Sequence, residues 1–171
     1  MLRGNSASGK STVARLVQER YPRAGCLVVG QDHVRRIMLR ELEGDATGDL
    51  NAELLENIAT WGLDRGLIVV MEGILNARRY GRMLERVASR ASAAHFFAYD
   101  LSFDETVRRH GERPQRDDFT ADEMASWYHG WQPLGFVDEA RFDSAVTAQQ
   151  AVDRIVATID AAEPRLRPGR E

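Results

Sequence analysis

The stretch Gly4-Asn5-Ser6-Ala7-Ser8-Gly9-Lys10-Ser11-Thr12 constrains this chain more than any other. Two glycines bracket four residues and are followed by Lys-Ser, the spacing GxxxxGK[ST]. Glycine lets successive backbone N–H groups turn inward, and a helix starting at the loop's end adds its positive N-terminus. Such a loop rings a phosphate. On this reading Gly4 to Thr12 bind a nucleotide, Lys10 reaches its β- and γ-phosphates, and the Ser11 hydroxyl is a ligand of Mg2+. The loop belongs between a strand and a helix, which points to an α/β fold.

A Gly/Ser-rich linker could share this composition, but one count speaks against it. The chain has 23 basic residues, and Lys10 is the only lysine. Lysine survives at the single position where a compact ammonium on a flexible stem is required and a planar guanidinium is no substitute.

At 171 residues, 43% hydrophobic and 29% charged, the chain reads as one domain over residues 1–171 with a single sizeable core. No apolar run approaches the ~20 residues of a membrane span. The loop begins so early that no signal peptide is expected, and the lone Cys26 suggests a buried thiol in a reducing, cytoplasmic setting. The net charge of −3 and the lack of a basic stripe argue against a nucleic-acid partner. Only Met1, Leu2 and Arg3 precede Gly4, so either the first strand is very short or the natural start lies upstream.

Apolar runs alternate with helical patterns. Helices are expected over 10–19, from His33, over 50–65, 76–90, 103–110, 121–131 and 148–161. Strands are expected at 26–29, 67–71, 93–99 and 142–146. In the helix after Asp32, residues Ile37, Met38 and Leu42 share a face. In the helix expected over 76–90, Met83, Leu84 and Val87 should point inward, and the tail 163–171 should be frayed. Alternation of this kind means a parallel sheet covered on both faces, with ligands at the carboxyl ends of its strands. Asp32 and Glu72 fall at those ends, after the second and third strands.

Absences narrow the class. A GTPase reads guanine with Asn-Lys-x-Asp, which a chain whose only lysine is Lys10 cannot contain. The run "DATG" at 45–48 follows a helix instead of a strand and is discounted. An oligomeric ATPase would carry an Asp-Glu pair after its third strand and a helical lid domain, and "VVMEG" has one acid.

With "GNSASGKST", "VVGQDHVRRIM", "IVVMEGIL" and "TVRRHGERP" in this order, the chain resembles the small P-loop kinases over about residues 2–160. The resemblance is strongest to the group of polynucleotide kinase, zeta-toxin kinases and chloramphenicol phosphotransferase. It implies a three-layer α/β/α P-loop NTPase fold, a five-stranded parallel sheet of order 2-3-1-4-5, and a short lid at about 109–119. It also implies a kinase that uses ATP and Mg2+ and acts on the hydroxyl of a small-molecule acceptor. A polynucleotide 5′-hydroxyl kinase and a nucleotide-sugar kinase stand as alternatives, and so does an ATP-binding switch with slow hydrolysis.

The resemblance makes Asp32 the hydroxyl-activating carboxylate and Arg35 a substrate contact; Asp32 could equally cap the helix at His33. Glu72 could hold Mg2+, touch the acceptor or simply end a strand, and Gly73 would let backbone approach the phosphates. Arg109 and Arg113, in the stretch of the lid arginines, would clamp the transferring phosphoryl group, with Arg116 sharing the task. His110 and His129 read as packing or surface residues. Among Trp127, Tyr128 and Trp131, core packing competes with one of them lining an acceptor pocket. "TAQQ" at 147–150 would edge the adenine. Finally, Glu41, Glu43, Asp45, Asp49, Glu53 and Glu56 predict a negative field at the acceptor entrance, favouring a neutral or cationic alcohol.

Overall fold

Strands form where β-branched and aromatic residues run together, and the helices between them return the chain to the same edge of each strand. The computed structural model describes residues 1–41, 49–112 and 119–162. β1 (Leu2–Gly4) leads into the phosphate loop and α1 (Lys10–Gln18). β2 (Cys26–Gly30) is followed by a π-helical turn, His33–Met38. Then come α2 (Leu50–Leu63), β3 (Ile68–Gly73), α3 (Ala77–Arg90), β4 (Phe97–Tyr99) and α4 (Phe103–Gly111). The chain continues through α5 (Ala121–Trp127), β5 (Ala140–Phe142) and α6 (Ala148–Ala162).

All five strands are parallel, in the order β2-β3-β1-β4-β5. This is the expected topology. β1 has three residues yet lies at the centre of the sheet, with Leu2 opposite Glu72 on one side and Phe97 on the other.

The two faces of the sheet bury separate apolar clusters. Val13 and Val17 of α1 meet Ile155 of α6 and Phe142 of β5 on one face. Leu55 of α2 meets Tyr80, Met83, Leu84 and Val87 of α3 on the other. Those four α3 residues recur at i, i+3, i+4 and i+7, the stripe that buries one side of a helix. Truncating Leu84, which has no exposed surface, to Ala would cost about 2–5 kcal/mol.

Some boundaries differ from expectation, each for a local reason. α5 stops at Trp127 because Tyr128 turns extended and its hydroxyl donates to the Leu101 carbonyl at 2.9 Å. β5 is Ala140–Phe142 and not 142–146, because the Asp143 carboxylate accepts from Ala145 N at 2.9 Å and folds the chain into a turn. β4 is three residues, not seven. The π-helical turn is wider than an α-helix, so Val34 is its buried residue while Ile37 and Met38 are exposed; Leu42 lies outside the described residues. Cys26 is buried as expected, and burial pushes its thiol up to about 11. Among the described residues no helix is long and apolar enough to cross a membrane. The tail 163–171 is not among them.

Candidate functional site

The phosphate loop joins the central strand to α1, so its cradle lies at the carboxyl ends of the sheet. Gly9 caps α1 at φ 96°, in the left-handed region where a side chain is disfavoured. Ala7 sits at φ 59° despite its Cβ, a strain of about 1–3 kcal/mol of the sort found at ligand clamps. Lys10 is 8% exposed, and its Nζ donates to the Asn5 carbonyl at 2.8 Å and to Ser8 Oγ at 3.3 Å. The ammonium is thus folded over the loop. Asn5 Oδ1 accepts from His129 N at 3.0 Å, tying the loop to the segment after α5.

Glu72 occupies the end of β3, in register with Gly30 of β2 and 8% exposed. Burial raises its pKa above the ordinary carboxylate value. Lys10 and a hydrogen bond with the Ser11 side chain pull it down, and Asp32 pushes it up. A buried carboxylate beside a hydroxyl is a hard-oxygen donor set suited to Mg2+, which takes one or two carboxylates and otherwise substrate phosphates and water. Among the described residues no group of three or more His, Cys, Asp or Glu could hold a metal, so a dedicated all-protein metal cage is not formed by them.

Asp32 stands two residues past β2. Its backbone is helical and its side chain makes no capping hydrogen bond, so the capping alternative is not realised. The carboxylate is exposed, with Arg36 Nε at 3.8 Å, and it shares a cavity with Lys10 and Ser11. Arg35 lines the same cavity, its Nε donating to Glu41 Oε1 at 3.1 Å.

On the other flank, Arg109 of α4 donates from Nη1 to the Ser8 carbonyl at 3.3 Å and from Nη2 to the Ser144 carbonyl at 3.2 Å. Its Nε donates to Glu105 at 2.6 Å. Hydrogen bonds from Arg108 and Arg109 hold that carboxyl at about 2. Arg113 and Arg116, with most of the expected lid, lie outside the described residues. At the lid's edges, the His110 ring stacks on Phe119 at 4.2 Å between centroids, which makes His110 a packing residue. Trp127 packs edge-on to Phe119 and lines the cavity, whereas Tyr128 and Trp131 pack against Phe103 and Arg141. Thr147 and Gln150 bond each other's backbone N–H groups at 2.9 and 3.2 Å, capping α6.

Sequence reasoning missed several residues. Gln31 is buried; its Nε2 donates to the Tyr80 hydroxyl at 2.9 Å, and its Oε1 accepts from Ile74 N at 2.9 Å. Gly73 makes this possible, since a Cβ there would lie 2.5 Å from that of Gln31. The glycine therefore accommodates the Gln31 side chain. Arg78 and Arg79, at the start of α3, also line the cavity. Two of the acids expected at the acceptor entrance are paired: Glu41 is buried against Arg35 and Arg79, and Glu56 pairs with Arg86 at 2.6 Å. Asp49 and Glu53 do not line the cavity, and Glu43 and Asp45 lie outside the described residues.

A five-stranded parallel sheet of order 2-3-1-4-5 flanked by helices is the architecture of the small P-loop kinases. Solved structures agree. The Mycobacterium tuberculosis APS kinase, in complex with AMPPNP and APS, is 20% identical, with TM-score 0.69 over 93% of this chain and 95% of that one. A gluconokinase from Sinorhizobium meliloti is 16% identical, with TM-score 0.62 over 95% of each chain. The Deinococcus radiodurans tunicamycin resistance protein is 15% identical, with TM-score 0.61 over 92% and 93%. No protein-family model matches the chain. No curated protein matches it either.

Proposed function

We propose that this protein is a phosphotransferase that moves the γ-phosphoryl group of ATP, with Mg2+, to a hydroxyl of a small molecule. The observation that carries the reading is the convergence of Lys10, Ser11, Asp32 and Glu72 at one edge of the sheet, three of them around one cavity. The structural neighbours named above as kinases for APS and gluconate support it. The backbone N–H groups of residues 5–10 and the Lys10 ammonium bind the β- and γ-phosphates. Ser11 and Glu72 would hold Mg2+, which when bound would neutralise charge developing on the phosphates. Asp32 orients the acceptor hydroxyl and takes its proton as the new oxygen–phosphorus bond forms and the bond to the β,γ-bridging oxygen breaks. The electron pair of that bond leaves with ADP. Arg109, anchored by Glu105 beside the loop, adds positive charge where it develops on the transferring group.

ADP release measured with ATP and Mg2+, with and without a panel of alcohols, tests this. Acceptor-dependent release is expected. Slow release that no acceptor accelerates would instead identify a nucleotide-binding switch.

A further inference from the structure

The cavity beyond the phosphate loop is far more basic than the sequence implied. It has a volume of about 640 Å³, within the range of small-ligand sites. Lys10, Arg35, Arg36, Arg78 and Arg79 face it, and Asp32 is the sole carboxylate among its described lining residues. Arg35 and Arg36 come from the π-helical turn and Arg78 and Arg79 from α3, so the cations stand on two different elements.

Among the described residues, local charges balance only part of this. Lys10 bonds the loop, Asp32 is near Arg36, and the buried Glu41 serves both Arg35 and Arg79. One carboxylate shared by two guanidiniums fixes their position without cancelling their charge. The exposed Arg78 guanidinium has no hydrogen-bond or ion-pair partner among the described residues. Placing two arginines in the first turn of α3 also opposes the helix dipole. α4 and α5 carry Asp104, Glu105, Asp122 and Glu123 in theirs. Arg79 is held by the buried Glu41, but nothing among the described residues favours Arg78 where it is.

We infer that the acceptor is a small anion, a hydroxyl compound bearing a carboxylate or phosphate group that docks on Arg78 and Arg79, with Arg35 held beside them by Glu41. The inference rests on the phosphotransferase reading and deepens it. Arginine forks match both kinds of group in bidentate geometry, and the remaining positive charge excludes cationic alcohols. The hydroxyl end then lies toward Asp32 and the phosphate loop, which line the same cavity.

The test uses the full chain saturated with Mg2+ and the β,γ-imido analogue of ATP, so that the phosphate loop is filled. Glycerol, glycerate and glycerol 3-phosphate are titrated in turn, with binding read by calorimetry and by thermal shift. Saturable binding is expected for one or both anions and not for glycerol, and the stronger anion distinguishes carboxylate from phosphate. In Arg78→Gln the affinity for the anion should fall about tenfold or more while analogue affinity is unchanged. Arg79→Gln should act in the same direction. Equal binding of glycerol, no saturable binding of either anion, or an anion response unaltered in Arg78→Gln would each overturn the inference. So would loss of analogue binding in that variant, or a 5′-hydroxyl oligonucleotide that binds more tightly than both small anions. Failure of the phosphotransferase reading is separate: it would show as absent analogue binding in the wild type before any anion is added, or as ADP release that no alcohol accelerates.

Discussion

Arg109 reaches back across 101 residues of sequence to donate to the carbonyl of Ser8 at 3.3 Å. On the proposed function, a guanidinium bonded to the backbone of this loop would lie within reach of the nucleotide's phosphates. Its fork is held by Glu105, so little freedom is lost when it turns to a ligand oxygen. Arg109→Ala should therefore reduce kcat/KM for ATP by on the order of 10²- to 10³-fold. Glu105→Gln, which leaves the charge but loosens its anchor, should produce a smaller loss. Steady-state kinetics of the two variants decide this, and equal losses would assign Arg109 to the fold rather than to the nucleotide.

The Lys10 ammonium donates to its own loop, at the Asn5 carbonyl and Ser8 Oγ. Lys10→Ala should keep the circular-dichroism spectrum and melting cooperativity of the wild type while nucleotide turnover falls at least about 100-fold. Lys10→Arg should not rescue it, because a planar fork cannot replace a compact ammonium inside the loop. Rescue by arginine would mean that charge alone is needed there.

Asp32 separates chemistry from stability cleanly. Its carboxylate caps no helix and is exposed, so both Asp32→Asn and Asp32→Ala should leave the melting temperature within error. Phosphoryl transfer should fall by on the order of 10²- to 10⁴-fold, with nucleotide affinity retained. Single-turnover transfer at the wild-type rate in either variant would remove the base from this reading.

The architecture was legible because its signals are local and redundant. The loop spacing at Gly4 to Ser11, the apolar stripe of α3 and the run "LIVVM" each specify one element, and the crossover rule assembles them. The site was legible only where one motif or one strand end specified it. Arg78 and Arg79 carried no signal, since nothing in "NARRYGR" says that the start of α3 lines the cavity. The acids between Asp32 and β3 were read as a field because their partners are distant: Arg79 is 38 residues from Glu41, and Arg86 is 30 from Glu56. The contact of Gly73 with Gln31 was illegible for the same reason, Gln31 lying at another strand's end.

Glu72 links the site to the stability of the whole protein. Burial raises its pKa, so the folded chain keeps the proton at pH values where the unfolded chain has released it. The stabilisation that follows is complete below the carboxylate's unfolded pKa and is lost as pH rises through the folded value. The apoprotein should therefore lose stability as pH climbs out of the carboxylate range toward neutrality. Glu72→Gln carries no charge to bury and should melt higher than the wild type at neutral pH, with that part of the pH dependence removed. Bound Mg2+ would compete with the proton for the same oxygens, so stabilisation by Mg2+ and nucleotide should grow with pH in the wild type. In Glu72→Gln the nucleotide should stabilise to nearly the same extent with Mg2+ or with EDTA, and phosphoryl transfer should drop by on the order of 100-fold. Thermal melts across pH for both proteins, in EDTA and in Mg2+ with the imido analogue, read all of these at once. A variant no more stable than wild type at neutral pH, yet still responsive to Mg2+, would take Glu72 out of the metal site.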